Sequence, residues 1–123
     1  EWTQNNIKVE RSADSDKGGT MRLGSYPCNI LKGSLINKIF GSLKIFERHR
    51  HRYEVNTKYI GKFRKKGFLY SGMSPDNLLP EIMESINHNW FIGVQFHPEL
   101  KSRPQNPHPL FVSFIKNCIK NHD

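Results

Sequence analysis

The sequence predicts a mixed α/β domain, with strands and helices in layers. Three observations lead there. Stretches with period-two alternation recur, as in TMRLGSYPCNIL (20–31) and KIFERHRHRYEV (44–55). The run WFIGVQF (90–96) is nearly continuously apolar, as in a strand buried on both faces. The last segment carries Leu110, Phe111, Phe114, Ile115 and Cys118 at helical spacing.

Taken in order, residues 1–19 are polar and read as a short strand or arm, then a loop that closes in a Gly18-Gly19 turn. Residues 20–31 follow as a strand with Met21, Leu23, Tyr26, Cys28 and Ile30 as its apolar positions. Ser34 is placed to cap a short helix with Leu35, Ile36, Ile39 and Phe40 on its apolar side, which Gly41 would stop. The 44–55 segment is extended. Asn56 or Thr57 then caps a helix to about Lys66, with Tyr59, Ile60 and Phe63 on one face, and Gly67 ends it. FLYSGMS is a strand, SPDN a turn, LLPEIMESI a further strand, and HN at 88–89 a second turn. Leu110 to Lys120 is the final helix. One strongly buried strand is too few for a doubly wound sheet, so other central strands are expected from outside these residues.

The chain has 123 residues, room for one small domain. Nineteen Lys and Arg against eleven Asp and Glu give a net charge of +8, which favours anionic partners. The excess is diffuse, densest at Arg48, Arg50 and Arg52 and again at Lys62, Arg64, Lys65 and Lys66. Nucleic acid is therefore not the expected partner. No apolar run approaches the roughly 20 residues that span a bilayer. No signal-peptide pattern is seen, and the expected location is the cytoplasm. Two distant cysteines, Cys28 and Cys118, form no disulfide framework. The start at Glu1 suggests a processed or partial product.

The chemistry centres on GVQFHPE (93–99). His97 follows a buried strand, where sites in open α/β sheets gather. Pro98 biases it to an extended conformation. Residues two apart in an extended chain point the same way, so the Glu99 carboxylate can reach the His97 imidazole. A carboxylate on one ring nitrogen leaves the other as a base for a Cys or Ser nucleophile. The same residues also suit a strand-end histidine beside an exposed glutamate. Neither cysteine fits the nucleophile. Cys28 follows Pro27 within a strand, Cys118 lies on the apolar face of the last helix, and both read as core cysteines. In ERHRHRYEV (47–55), an extended chain puts Arg48, Arg50 and Arg52 on one face and His49 and His51 on the other. The arginines suit carboxylate or phosphate, or a solvated basic edge. His-x-His also occurs at metal sites, but no third ligand is evident and no metal is expected.

Four segments together, GGTMRLG (18–24), ERHRHRYEVN (47–56), GVQFHPE (93–99) and HPLF (108–111), closely resemble the CTP synthase family in its C-terminal glutamine amidotransferase domain. FHPE is shared by many class I amidotransferases; the arginine-rich segment is more specific. The resemblance covers about residues 17 to 119. It implies the C-terminal half of a flavodoxin-like class I amidotransferase domain, without the nucleophile elbow and without the N-terminal synthase domain. It implies a Cys-His-Glu triad in which His97 is the base and Glu99 its orienter. Arg52 would bind the glutamine carboxylate, and Tyr53 would contribute through its backbone. The family makes CTP from UTP, ATP and glutamine-derived ammonia, with magnesium in the synthase domain, GTP as activator and a homotetrameric assembly. The 123 residues alone are expected to hydrolyse no glutamine and to be marginal or aggregation-prone. The alternatives are a basic nucleotide- or RNA-binding remnant and another class I amidotransferase.

Overall fold

The computed structural model describes residues 2–4, 7–9 and 21–122. The expected Gly18-Gly19 turn lies outside them. Two short strands, β1 (Trp2–Gln4) and β2 (Ile7–Val9), pair antiparallel. The main sheet has five strands: β3 (Arg22–Ile30), β4 (Lys44–His51), β5 (Phe68–Met73), β6 (Pro80–Ser85) and β7 (Ile92–Val94). Their order is β4-β3-β5-β6-β7, and every pair is antiparallel. Among the described residues the parallel pairing of a flavodoxin-like sheet is thus not formed.

Three helices accompany the sheet: α1 (Leu35–Phe40), α2 (Ile60–Lys65) and α3 (Pro109–Lys120). The core joins Cys28, Ile30, Ile45 and Ile82 of the sheet to Ile36 of α1, Leu110 of α3 and Phe96. The six-residue α1 is too short to stand by propensity alone. Ser34 caps it, its Oγ accepting from Asn37 N at 3.1 Å. The buried Glu84 of β6 accepts from Leu35 N and Ile36 N at 2.9 and 3.2 Å, so the first-turn donors are all answered. Gly41 closes the helix at φ 66, where a side chain would be strained.

Several local expectations hold and some do not. A 3₁₀ turn (Thr57–Tyr59) capped by Asn56 precedes α2, and Phe63 of α2 packs edge-on against Phe68 and Tyr70. Residues 90–96 do not form a strand buried on both faces. Only Ile92–Val94 pair, at the sheet edge, and all three are half-buried. The apolar run marks a strand with a second face that no described element covers. In β3 the inward positions are Arg22, Cys28 and Ile30, while Leu23 is 67% exposed. Counting back from Ile30 in steps of two gives 28, 26, 24 and 22, so Leu23 is out of phase and an arginine goes inside. Cys28 is a core cysteine, as expected, but Cys118 is exposed. Of α3 only Leu110 is fully buried; Phe114, Ile115 and Ile119 stay open, because no described element covers that stripe.

Candidate active site

β4 organises the site. Its burial alternates, with Ile45, Glu47 and His49 inward and Arg48 and Arg50 outward, as the period-two pattern demands. It is an edge strand, so its free backbone groups can bind other segments. The Arg48 carbonyl accepts from His97 N at 2.9 Å. That bond seats the chain leaving β7 against β4.

His97 then precedes a 3₁₀ turn, Pro98–Leu100, with Pro98 at its start. The imidazole Nδ1 lies 2.7 Å from Glu99 Oε1, so the two predicted residues meet. The route differs from the expected one. Glu99 is not on an extended chain but in the turn, which curls its carboxylate back to the ring. With the carboxylate accepting, Nδ1 carries the proton and Nε2 keeps its lone pair. The hydrogen bond from His97 holds the Glu99 carboxyl below its ordinary value, with Arg50 adding a smaller pull the same way. The His97 side chain is 35% exposed and that of Glu99 59%, so the pair lies open at the surface.

Arg52 and Tyr53 follow the end of β4, the strand whose backbone holds His97. Arg52 is half-buried and Tyr53 exposed. No thiol completes a relay here. Cys28 is fully buried, and burial above all pushes its thiol up to about 12. Cys118 sits on α3.

Beneath the site runs a buried charge network that the sequence did not announce. Arg22 donates to Glu81 Oε1 at 2.5 Å and to Glu54 Oε1 at 3.5 Å, and His51 Nε2 lies 3.0 Å from the same Glu54 oxygen. His49 Nε2 comes within 3.4 Å of Glu81 Oε2, but without hydrogen-bond geometry. Burial is the main cause holding the His49 imidazole down to about 4, with Arg22 and His51 adding to it. Burial also pushes the Glu81 carboxyl up to about 7, against the pull of Arg22. So His49 is neutral, enclosed by Tyr26, His51 and Phe96. The His-x-His pair gains no third ligand; among the described residues no group of three His, Cys, Asp or Glu could hold a metal ion. A second cluster joins Glu47, Lys101 and His108. One signal was readable in advance: Glu47 shares the inward phase of β4 with Ile45, and a carboxylate in that phase needs a buried partner.

Comparison with known proteins places these features. The family model described as glutamine amidotransferase class-I matches residues 4–117. The chain is 62% identical over 120 residues to a CTP synthase of Hyphomonas neptunium, covering 98% of this chain and 22% of that protein. It is also 62% identical over 122 residues to a CTP synthase of Pelagibacter ubique, covering 99% and 22%. It thus spans about a fifth of the length of the curated relatives it matches. Among solved structures it resembles the glutaminase domain of Trypanosoma brucei CTPS with bound acivicin, with a TM-score of 0.79 and 38% identity over 89% of this chain and 44% of the other.

Proposed function

The chain belongs to the class I glutamine amidotransferase family, and from that premise we propose that it is the part of a CTP synthase that supplies the histidine and glutamate of a Cys-His-Glu glutaminase triad. The observation that carries the proposal is the His97 Nδ1–Glu99 Oε1 contact at 2.7 Å, in a turn hung from the arginine-bearing strand β4. The CTP synthases at 62% identity support that parentage over another class I amidotransferase, and nothing in the relatives favours a basic remnant that binds nucleotide or RNA.

In this reaction a thiolate from outside these residues attacks the side-chain amide carbon of glutamine. Protonated His97 gives its Nε2 proton to the departing nitrogen, and ammonia leaves. Neutral His97 then takes a proton from water, whose oxygen attacks the thioester; glutamate leaves, and the thiolate beside protonated His97 is restored. Glu99 keeps the ring in one tautomer and balances its charge while protonated. Arg52 binds the α-carboxylate of glutamine, for which a planar guanidinium is suited, and Tyr53 adds a backbone contact.

The chain would be the C-terminal half of its amidotransferase domain. ATP, UTP and magnesium would be handled by a preceding synthase domain; the described residues offer no cluster fit for a metal, and no step here passes through one. GTP would act as activator, the parent would be a cytoplasmic homotetramer, and nucleic acid would not be a partner. No helix among the described residues is long and apolar enough to cross a membrane.

The test joins this chain to the preceding segment of the Pelagibacter ubique CTP synthase. The chimera should make CTP with either glutamine or ammonia. His97→Ala should lower the glutamine-dependent rate at least about a hundredfold and spare the ammonia-dependent one. Equal glutamine-dependent rates with and without His97 would overturn the proposal. So would glutaminase activity in the 123 residues alone that depends on His97.

A further inference from the structure

The turn that carries Glu99 has little to hold it. The Glu99 side chain is exposed, and its hydrogen bond to His97 lies in the open. The first end of the turn is fixed by the Arg48 carbonyl on His97 N. At the second end, Lys101 N donates to the Pro98 carbonyl at 3.1 Å, which closes the turn on itself without anchoring it. Two contacts anchor that end: Ser102 Oγ accepts from His108 N at 3.0 Å, and the Lys101 side chain reaches back to β4. Its Nζ donates to the Phe46 carbonyl at 2.6 Å and to Glu47 Oε1 at 3.2 Å. Both acceptors belong to β4, one and two residues before Arg48.

Glu47 is a firm post. Its side chain is 1% exposed, and His108 Nε2 lies 2.9 Å from the same oxygen. His108 is itself fixed, because its Nδ1 accepts from Leu110 N at 3.2 Å as the cap of α3. That bond leaves Nδ1 without a proton, so Nε2 carries one and donates to Glu47. Thus β4, α3 and the Glu99 turn meet at one buried carboxylate, and Lys101 is the arm that reaches the turn.

We infer that Lys101 is a positioning residue for glutamine hydrolysis. It clamps the far end of the Pro98–Leu100 turn to Phe46 and Glu47, and so keeps the Glu99 carboxylate on His97. The inference rests on the proposed role of His97 and Glu99. The Lys101 side chain bonds to Phe46 and Glu47, not to His97 or Glu99, so it acts through the turn. A side chain 42% exposed at such a junction is not needed for the core. Its value is geometric, since a carboxylate displaced by about 1 Å no longer orients the ring, and misplacement on that scale can cost about a hundredfold.

The experiment uses the same chimera with Lys101→Met, Lys101→Arg and His97→Ala side by side. Lys101→Met should lower the glutaminase kcat about tenfold and leave the KM for glutamine within about twofold, because Arg52 and Tyr53 lie elsewhere. Ammonia-dependent CTP synthesis and the thermal midpoint should stay near the parent values. Lys101→Arg, which keeps a donor in reach of Phe46 and Glu47, should recover most of kcat. An unchanged kcat in Lys101→Met, with His97→Ala inactive, would overturn the clamp and leave the triad standing. Parallel loss of kcat, KM and thermal midpoint would overturn it in favour of a structural role. No effect of His97→Ala would remove the triad and the clamp together.

Discussion

Replacing Gly72 with alanine tests how tightly the sheet is built under the site. Gly72 sits in β5 where the register with β6 shifts, between Tyr70 and Met73. A Cβ there would lie 2.6 Å from Ile82 Cγ1, 2.7 Å from Ile82 Cδ1 and 2.9 Å from Cys28 Sγ. Ordinary van der Waals contact is about 3.5–4.0 Å, so roughly an ångström of overlap must be relieved. Neither neighbour can swing into solvent, since Ile82 is 1% exposed and Cys28 0%. The strands must shift, and overpacking of this kind costs about 1–3 kcal/mol. In the chimera, hydrogen exchange at the β6 amides reads that locally, without requiring two-state unfolding of the whole. Exchange should quicken by about fivefold to about 150-fold, the same energy expressed as an equilibrium constant. Ile82→Val removes Cδ1, so the double variant should be less destabilised than the sum of the two singles. Unchanged exchange in Gly72→Ala, or strict additivity, would refute a close-packed β3-β5-β6 junction.

Two further outcomes are expected. As pH falls from 6.5 to about 4, the unfolded chain protonates His49 while the folded chain does not, so this group lowers stability toward acid. As pH falls from about 7 to 4.5, folded Glu81 takes its proton before unfolded Glu81 does, so this group raises it. The slopes oppose one another, and His49→Gln should unmask the second. The urea midpoint of His49→Gln relative to its parent should therefore rise as pH drops across that window; a pH-independent difference would contradict the buried neutral imidazole. Under native conditions iodoacetamide should modify Cys118 and leave Cys28 untouched until urea opens the core, with tandem mass spectrometry as the readout.

Short-range features are legible in the sequence, because period and capping chemistry act over a few residues. Ser34, Asn56, Gly41 and Gly67 are legible as boundaries, the alternation in β4 separates Arg48 and Arg50 from His49, and FHPE brings His97 and Glu99 close, though through a 3₁₀ turn and not the extended chain that the local pattern implies. Contacts between residues far apart in the chain come from the fold and leave no local mark. Arg22 goes inside because Glu81, 59 residues later, and Glu54 answer its charge. Leu23 is turned out by the same phase. Lys101 meets Glu47 across 54 residues and His108 meets it across 61, and no local pattern encodes such a meeting. The apolar run at 90–96 pairs only over Ile92–Val94, at the sheet edge, for a related reason. Apolar residues record that a face is to be covered, but not which segment covers it, since hydrophobic burial is non-directional and leaves the partner to the fold.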